Sequence, residues 1–360
     1  MTGPHLLADI SFHGFGHLAQ TAPVLNALRR RVPGLRLTVR SGAPRPLLAS
    51  RIEGPFDHIP QATDFGMRME SALAVRVEES ARAYAVFHRD WEQKVERGAK
   101  RLAGLAPDLV FANVSYLALA EAAWAGIPAA AMCSLNWADI YLHYCRDYPG
   151  AAEIHRQMLE AYNSAACFLR LQPGMPMADL RRAEPLGTVA RRGTDRRAEI
   201  DARLDLEPGD KLVLVALGGI PTRLPLEDWP RLPGVRWLVE DAWQVRHPDA
   251  VPLEALSLHF VDLLCSCDAL ITKPGYGSFA EAAANGVPVL YVPRRDWPEE
   301  PWLVDWLRTH GRCREIPADD LAQGRLGQTL EELVAMPAGV PVPADGADRT
   351  AAILVPYLGR

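Results

Sequence analysis

The chain has 360 residues, of which 49% are hydrophobic and 23% charged, and its formal net charge is −5. This composition is typical of a soluble globular protein, and the length predicts two domains of about 100–200 residues each. The charge balance argues against nucleic-acid binding, no run of about 18 apolar residues predicts a transmembrane helix, and the first residues lack the features of a signal peptide.

The first half of the chain alternates between predicted strands and helices. Residues 5–12 are an apolar run that ends in the loop His13-Gly14-Phe15-Gly16-His17, and a helix pattern then leads to a strand at residues 35–41. Further along, residues 107–115 and 127–134 read as buried strands with a helix between them. This alternation predicts a parallel sheet with helical crossovers.

The second half restarts the same alternation after a less regular stretch. Residues 171–197 carry prolines and arginine pairs without clear periodicity, so we place the interdomain linker there. Predicted strands at residues 211–217 and 268–272 then run into glycine loops. The predicted parts are an N-terminal Rossmann-like domain at 1–180, a C-terminal one at 181–345, and a helix at 346–360 that packs back on the first domain.

The first glycine loop carries two histidines, His13 and His17. In an open parallel sheet, ligands bind at the carboxyl ends of strands, and glycines there let a ligand approach the backbone. A histidine in such a loop is suited to act as a general base near neutral pH. The alternatives are a structural loop histidine and a variant dinucleotide-binding loop.

The strongest motif runs from Thr272 to Glu281. A predicted strand ends at Thr272, a turn contains Gly275 and Gly277, and Ser278 with Glu281 fits a capping box at the start of a helix. Exposed amides at such a helix start can hold a diphosphate. Glu281 either accepts hydrogen bonds from two ribose hydroxyl groups or completes the cap.

The second motif resembles the donor-binding motif of the GT-B glycosyltransferases. Gly275-Tyr276-Gly277-Ser278, Glu281 and Gly286-Val287-Pro288 match it residue by residue, and Lys273 stands where many members have histidine. The chain is similar to the inverting branch that contains the UDP-glucosyl/glucuronosyltransferases and the peptidoglycan N-acetylglucosaminyltransferase. The resemblance implies an α/β fold with two Rossmann-like domains whose parallel sheets face each other across a cleft.

The resemblance also implies a function. It implies an inverting, metal-independent transfer of a sugar from a nucleoside-diphosphate sugar, with uridine as the expected base, to an acceptor that the sequence does not identify. The nucleotide sugar is a co-substrate, so no cofactor is expected. The six cysteines lack metal-binding spacing and are typical of a reducing compartment, so we expect no metal site and a cytoplasmic protein.

The candidate donor-site residues follow from the resemblance and from position in predicted loops. Arg223, in a predicted strand-end loop, is a candidate diphosphate clamp, and Arg294 and Arg295 either reach a phosphate or stay solvated. The candidates for the nucleotide are Gly218, Gly219, Arg223, Phe260, Val261, Lys273, Gly275, Tyr276, Gly277, Ser278 and Glu281. The candidates for the donor sugar are Asp296, Glu299 and Glu300.

The base of the reaction is open between two histidines. Gly16-His17 resembles the loop where relatives place the catalytic base, and His13 is the alternative. In plant-type relatives an aspartate pairs with the base, but the corresponding strand here ends in Asn113, and a neutral amide cannot stabilise an imidazolium as a carboxylate does. Asp139 is another candidate partner.

Two further interpretations stay open. The first glycine loop, together with Ser134-Leu135-Asn136-Trp137, also resembles a glycosyltransferase-like domain that is fused to some sugar kinases, and for that relative sugar transfer is not implied. A nucleotide-sugar epimerase of the same fold and a non-catalytic nucleotide-sugar-binding protein are the alternative functions.

Overall fold

The structure is a computed structural model that describes residues 3–71, 73–218 and 223–359. Contacts between Cα atoms divide the chain into two compact units. The first unit comprises Met1–Glu70, Ala74–Val189 and Asp345–Arg360, and the second comprises Ser71–Leu73 and Ala190–Ala344. The main division therefore falls within the stretch that the sequence marks as linker.

The first unit is built on a parallel sheet. Its described strands are β1 (His5–Ile10), β2 (Arg36–Arg40), β3 (Asp57–Ile59), β4 (Leu109–Asn113), β5 (Ala129–Cys133), β6 (Cys167–Arg170) and β7 (Ala183–Pro185). They lie in the order β3-β2-β1-β4-β5-β6-β7, so the strand order reverses between β1 and β4. Strands β1, β4 and β5 are buried along their whole length, as expected when helices cover both faces of a sheet.

Helices follow the strands of the first unit. They are α1 (Gly16–Arg31), α2 (Arg45–Ala49), α3 (Val77–His88), α4 (Trp91–Leu105), α5 (Tyr116–Ala125), α6 (Trp137–Cys145) and α7 (Ala151–Ser164). Local sequence sets their ends: Ser115 caps α5 by accepting a hydrogen bond from Ala118 N, and Gly126 ends the helix in the left-handed region at φ 69°.

The second unit has a parallel sheet of its own. Its described strands are β8 (Lys211–Val215), β9 (Val235–Val239), β10 (Ala250–Pro252), β11 (Ala269–Thr272), β12 (Val289–Tyr291) and β13 (Cys313–Glu315). They lie in the order β10-β9-β8-β11-β12-β13, so the order reverses between β8 and β11. The core on one face of this sheet gathers apolar side chains such as those of Val213, Trp237 and Ile271.

The remaining helices complete the two units. They are α8 (Arg197–Leu204), α9 (Phe260–Ser266), α10 (Tyr276–Asn285), α11 (Glu300–His310), α12 (Ala318–Ala322), α13 (Gly327–Val334) and α14 (Gly346–Leu354). Short 3-10 helices cover Leu226–Asp228, Asp241–Trp243, Leu253–Leu256 and Val355–Tyr357. Helix α14 belongs to the first unit and packs against α1. No helix among the described residues is long and apolar enough to span a bilayer.

The predicted fold class is confirmed: both units are α/β, each has a parallel sheet, and helices connect the strands. In sheets of this kind, ligands bind outside the carboxyl ends of the strands where the strand order reverses. The two glycine loops singled out in the sequence follow β1 in the first unit and β11 in the second, so each begins at such a point.

Candidate functional site

The first candidate site is built at the carboxyl ends of β1 and β4. Ser11 N donates to Asn113 O at 2.7 Å, which joins the loop after β1 to the last residue of β4. Gly14 has φ +108°, a backbone conformation that favours glycine. Helix α1 begins at Gly16, and His17 therefore lies in its first turn.

His17 is bonded to Asn113 through a short network of amides. Its Nδ1 lies 2.9 Å from Asn113 Oδ1. Asn113 Nδ2 donates to Gln20 Oε1 at 3.0 Å, and Gln20 Nε2 donates to Ser134 Oγ at 3.0 Å. Because Asn113 uses its amide nitrogen as a donor, Oδ1 is the acceptor and Nδ1 of His17 carries the hydrogen. Nε2 then has the lone pair that a general base needs.

Burial sets the charge state of His17. The side chain is only 7% exposed, and this desolvation lowers its pKa from 6.5 to about 4, with the hydrogen bond to Asn113 acting in the opposite direction. The imidazole is therefore neutral at neutral pH. An imidazolium formed there would keep its hydrogen bond to the amide oxygen of Asn113 but would have no ion pair with that neutral side chain.

Asp139, the other candidate partner, is bonded to Asn136. It lies in the first turn of α6, where its amide N donates to Asn136 Oδ1 at 2.8 Å and its Oδ2 accepts a hydrogen bond from Asn136 Nδ2 at 2.9 Å. The partnership of Asp139 with a histidine stays a prediction. The carboxylate and the Asn136 side chain bond to each other at the start of a helix, and Asn113 holds the position beside His17.

His13 lies close to the same site. One indole, that of Trp137, contacts both histidine rings, with centroid distances of 5.3 Å to His13 and 5.8 Å to His17. Gly66 packs against this cluster, because a Cβ there would lie 2.7 Å from both the His13 and the Trp137 rings. The structure thus groups the two candidate histidines around Trp137.

Asp64 is a buried carboxylate of this site that was not among the residues predicted from the sequence. It lies between β3 and α3, and its Oδ2 accepts hydrogen bonds from Trp137 Nε1 at 3.0 Å and from Ser11 Oγ. Burial raises its pKa to about 7, and the nearby Asp9 adds to that effect. Asp64 follows β3 (Asp57–Ile59), a short strand that was not among the predicted ones, so no local signal pointed to it.

The second candidate site lies at the start of α10. The helix begins at Tyr276 with Gly275 as the N-cap in an extended conformation, φ −165° and ψ 138°, and no side chain caps it. The predicted capping box is therefore wrong, because Ser278 is the third helical residue. Phe279 N donates to Gly275 O at 3.1 Å, so the amides of Gly277 and Ser278 precede the first intrahelical bond.

Lys273 lies between the two glycine segments of the second unit. A Cβ built on Gly218 or on Gly275 would lie 3.8 Å from Lys273 Nζ. Gly218 has φ +84°, which favours glycine. Burial and, to a smaller extent, the charge of Arg294 lower the pKa of Lys273 to about 8, while the charge of Glu299 opposes the shift. An ammonium and helix amides thus meet where the strand order reverses.

Glu281 lies one turn beyond Gly277 on the same face of α10 and is buried. With the cap at Gly275, Glu281 does not complete the predicted capping box. The half-buried Phe260 and the buried Val261 are the first two residues of α9. Val261 O is packed so closely that a Cβ on Gly193 would lie 2.2 Å from it.

Gly219 and Arg223 are two further residues predicted to contact the nucleotide. Gly219 lies outside the described residues. Arg223 is engaged within its own surroundings: its Nε donates to Trp243 O at 2.8 Å, and its guanidinium pairs with Glu227. The clamp role of Arg223 stays a prediction that needs this ion pair to break.

The predicted sugar contacts lie in the loop between β12 and α11. Glu299 is buried and accepts a hydrogen bond from Trp297 Nε1 at 3.2 Å. Glu300 Oε2 accepts one from Arg294 N at 2.6 Å, so this carboxylate holds the loop backbone. Asp296 is exposed. The same loop contains the buried Arg294, whose guanidinium carbon lies 3.7 Å from the centre of the Trp297 ring.

Solved structures share this fold over nearly the whole chain. The glycosyltransferase of kitacinnamycin aligns with a TM-score of 0.67 at 18% identity and covers 99% of this chain and 100% of that one. The calicheamicin glycosyltransferase CalG4 gives 0.61 at 16% identity, with 100% and 99% covered. Phytolacca americana UGT2, complexed with UDP-2fluoro-glucose and pterostilbene, gives 0.58 at 13% identity, with 99% and 94% covered. The chain has the GT-B glycosyltransferase fold.

Curated relatives are similar to parts of this sequence. An L-arabinokinase of Arabidopsis thaliana is 28% identical over 337 residues, which cover 91% of this chain and 32% of the relative. A Halorhodospira halophila UDP-N-acetylglucosamine–N-acetylmuramyl-(pentapeptide) pyrophosphoryl-undecaprenol N-acetylglucosamine transferase is 37% identical over 75 residues, 19% of each chain. The chain thus spans 32% of the first relative's length and 19% of the second's. No family model matches the chain.

Proposed function

We propose that this chain transfers a sugar from a nucleoside-diphosphate sugar to an acceptor hydroxyl group, with inversion and without a metal ion. The observation that carries the proposal is the position of Lys273 Nζ between Gly218 and Gly275, next to the start of α10. An ammonium and helix amides at a reversal of strand order form an arrangement suited to a diphosphate. The glycosyltransferase fold and the UDP sugar bound by UGT2 support the donor class.

In this proposal the second unit holds the donor. The diphosphate binds the amides of Gly277 and Ser278 and the Lys273 ammonium. Glu281 accepts hydrogen bonds from the ribose hydroxyl groups, and the start of α9 contacts the base, with uridine expected. Asp296, Glu299 and Glu300 are the proposed contacts of the sugar, and the last two need to exchange a hydrogen bond within the loop for one to the ligand.

The first unit supplies the base. Nε2 of His17 takes the proton of the acceptor hydroxyl group while that oxygen attacks the anomeric carbon of the donor sugar. The bond between this carbon and the diphosphate oxygen breaks, and the nucleoside diphosphate leaves with the bonding electron pair. The helix amides and Lys273 stabilise the charge that develops on the leaving group. Attack on the face opposite the leaving group inverts the anomeric carbon.

A second candidate function is nucleotide-sugar binding without transfer. The neutral Asn113 beside His17 favours it, because burial holds the pKa of the histidine at about 4 and no carboxylate stabilises its charged form. Such a histidine is a weak base, and a protein that only senses or carries a nucleotide sugar does not need a stronger one.

Release of nucleotide separates the two candidates. UDP-glucose is incubated with the full chain, with and without a mixed panel of sugars, polyols and phenols, and free UDP is measured. The transferase proposal predicts acceptor-dependent release that His17→Gln lowers by about 100-fold or more. The His13→Gln variant tests the alternative base, and it should lower release less than His17→Gln does. Binding without any release supports the second candidate, and release that His17→Gln leaves unchanged contradicts the assigned base.

A further inference from the structure

Asp64 belongs to a closed network of hydrogen bonds in the first unit. Its Oδ2 accepts hydrogen bonds from Trp137 Nε1 at 3.0 Å and from Ser11 Oγ. Ser11 Oγ in turn accepts one from Val114 N at 3.1 Å. Trp137 N donates to Tyr162 Oη at 3.1 Å, and that hydroxyl group donates to Val114 O at 2.8 Å. The Asp64 network therefore joins five separate segments of the chain.

Asp64 is the acceptor on which this network depends. All five residues are buried, so a hydrogen bond that is lost there is not replaced by one to bulk water. Without the carboxyl group, both Ser11 Oγ and Trp137 Nε1 lose their acceptor at once. These two donors must then move to satisfy their hydrogen-bonding groups.

The first route from Asp64 to the base runs through Ser11. Ser11 N donates to Asn113 O at 2.7 Å, and Ser11 Oγ accepts from Val114 N. Both polar groups of the peptide unit between Asn113 and Val114 are thus bonded to Ser11. The side chain of Asn113 extends from this fixed backbone, and its Oδ1 lies 2.9 Å from His17 Nδ1. By orienting the Ser11 hydroxyl group, Asp64 acts on the partner of the histidine.

The second route runs through Trp137. Its indole nitrogen is bonded to Asp64 and its backbone nitrogen to Tyr162, so the side chain is held at both ends. The centre of the indole lies 5.8 Å from that of the His17 ring and 5.3 Å from that of the His13 ring. A rotation that moved Nε1 away from Asp64 would change both contacts.

The network uses Asp64 as an acceptor and does not need its charge. Both hydrogen bonds go to Oδ2, so a proton on Oδ1 leaves them in place. Burial raises the pKa of Asp64 to about 7, so both ionisation states are populated near neutral pH. The amide oxygen of an asparagine can accept the same two hydrogen bonds, whereas alanine accepts neither.

We propose that Asp64 is a positioning residue that holds His17 in its orientation and tautomer, through Ser11 and Asn113 on one side and through Trp137 on the other. This inference rests on the proposed function, because it assigns a residue to the site of the proposed base. Asp64 itself transfers no proton. With the network intact, Nδ1 of His17 faces Asn113, and Nε2 keeps the lone pair that accepts the proton of the acceptor hydroxyl group.

The test compares Asp64→Ala and Asp64→Asn with the parent chain. The imidazole nitrogen shifts in NMR spectra report which nitrogen of His17 carries the hydrogen, and acceptor-dependent release of UDP from UDP-glucose reports kcat and KM. Asp64→Ala should give a mixture of His17 tautomers and lower kcat by about 10- to 100-fold, as expected when a reacting group is misplaced. KM for UDP-glucose should change by less than about threefold, because the donor binds the second unit.

Asp64→Asn and Glu121→Ala are the matched controls. Asp64→Asn should keep the parental tautomer and a kcat within about threefold of the parent's, because the amide oxygen replaces Oδ2 as acceptor. Glu121 is another buried carboxylate of the first unit, and it pairs with Arg40 at 2.7 Å. Its replacement by alanine should lower stability without changing the tautomer of His17.

The possible results separate this inference from the proposed function. A parental tautomer in folded Asp64→Ala overturns the positioning role, and this measurement needs no enzyme activity. A loss of kcat in Asp64→Asn as large as that in Asp64→Ala also overturns it, because the charge or the proton of Asp64 would then be required. A parent chain that releases no UDP overturns the proposed function alone, and the comparison of tautomers still decides the role of Asp64.

A further variant guards against misfolding, because Asp64 is buried. Ser11→Ala keeps the carboxyl group and its hydrogen bond from Trp137 but removes the hydroxyl group that accepts from Val114 N. Circular dichroism and the melting temperature check that each variant is folded. If Asp64→Ala is unfolded, Ser11→Ala decides the matter: it should shift the His17 tautomers in the same direction, and a parental imidazole spectrum contradicts the proposal.

Discussion

His17 Nδ1 lies 2.9 Å from Asn113 Oδ1, so the buried histidine of the first unit has a neutral amide as its partner. The amide fixes the tautomer but supplies no charge, and burial lowers the pKa of the imidazole to about 4. A base of this kind is ready to accept a proton at neutral pH but holds it weakly. Burial is the main cause of the low pKa, and Asn113 is the neighbouring side chain whose replacement can change the strength of the base.

Asn113→Asp should raise the pKa of His17. A carboxylate at hydrogen-bond distance stabilises the imidazolium and typically raises a histidine pKa by about 1–3 units. The titration of the imidazole resonances by NMR measures this shift. His88, whose pKa burial also lowers to about 4 and whose Nδ1 is bonded to Gln157, is the internal control and should not move. A His17 resonance that titrates as in the parent chain would contradict the assigned hydrogen bond.

Binding of UDP should weaken as the pH rises through about 8, the pKa to which burial lowers Lys273. Because the group's pKa is depressed, its ammonium loses its proton above that pH and no longer attracts the diphosphate. Affinity should fall by about tenfold between roughly pH 7 and 9, a range in which the terminal phosphate is already ionised.

Lys273→Arg is the matched control for that pH dependence. A guanidinium stays protonated across this range, so the UDP affinity of the variant should be flat with pH. Calorimetric titrations at several pH values compare the two proteins. A parent chain whose affinity does not change with pH, or an arginine variant that keeps the parental slope, would place the phosphates away from residue 273.

Asp64→Asn should raise the unfolding free energy, relative to that of the parent chain, more at high pH than at low pH. Burial raises the folded-state pKa of Asp64 from 3.8 to about 7, so the folded state retains a proton that the unfolded state has lost. The parent chain therefore loses stability as the pH rises from about 4 to 7, and the loss is complete above 7. The asparagine still accepts the hydrogen bond from Trp137 through its amide oxygen.

Urea denaturation at about pH 5 and pH 8 measures the effect of Asp64→Asn. The unfolding free energy of the variant minus that of the parent should increase by on the order of 1–3 kcal/mol from the lower to the higher pH. An unchanged difference would mean that Asp64 is ionised in the folded protein at both.

Gly66→Ala should disturb the cluster of His13, Trp137 and His17. Gly66 has φ +59°, and a Cβ there would lie 2.7 Å from the His13 and Trp137 rings. The strain and the clash predict a loss of about 1–3 kcal/mol in unfolding free energy. Gly104→Ala in α4 is the control, because a Cβ there meets no atom within 4 Å and should stabilise the helix by about 0.5–1 kcal/mol. Equal effects of the two substitutions would contradict this packing.

Much of the fold could be predicted from local pattern. The apolar runs that become β1, β4, β8 and β11 are long enough to be recognised, and glycines mark the ends of β1, β8 and β11. The start of α10 was misplaced by the sequence analysis. Ser278 has a good capping side chain and Glu281 follows it at the right spacing, but Gly275 takes the cap position in an extended conformation, and the helix begins earlier.

Other parts of the sites depend on contacts that no local pattern contains. Asp64 lies in an irregular segment and becomes significant only because Trp137, far away in sequence, donates a hydrogen bond to it. Arg294 and Arg295 are adjacent arginines that the sequence does not distinguish. In the structure Arg294 stacks on Trp297, whereas Arg295 pairs with Glu315. Arg223 was a clamp candidate from its position in a loop, and its pairing with Glu227, in the short 3-10 helix at Leu226–Asp228, is a contact that the loop position does not reveal.

The most direct test of the donor site is a thermal-shift panel of UDP, dTDP, GDP and NAD on the parent chain, Glu281→Ala and the control Glu331→Ala. A ligand that binds only the folded state raises the melting temperature. The account predicts that one nucleoside diphosphate stabilises the parent and the Glu331→Ala control but not Glu281→Ala. If no nucleoside diphosphate stabilises the parent, or if only NAD does, the chain has the fold of a glycosyltransferase without the donor site proposed for it.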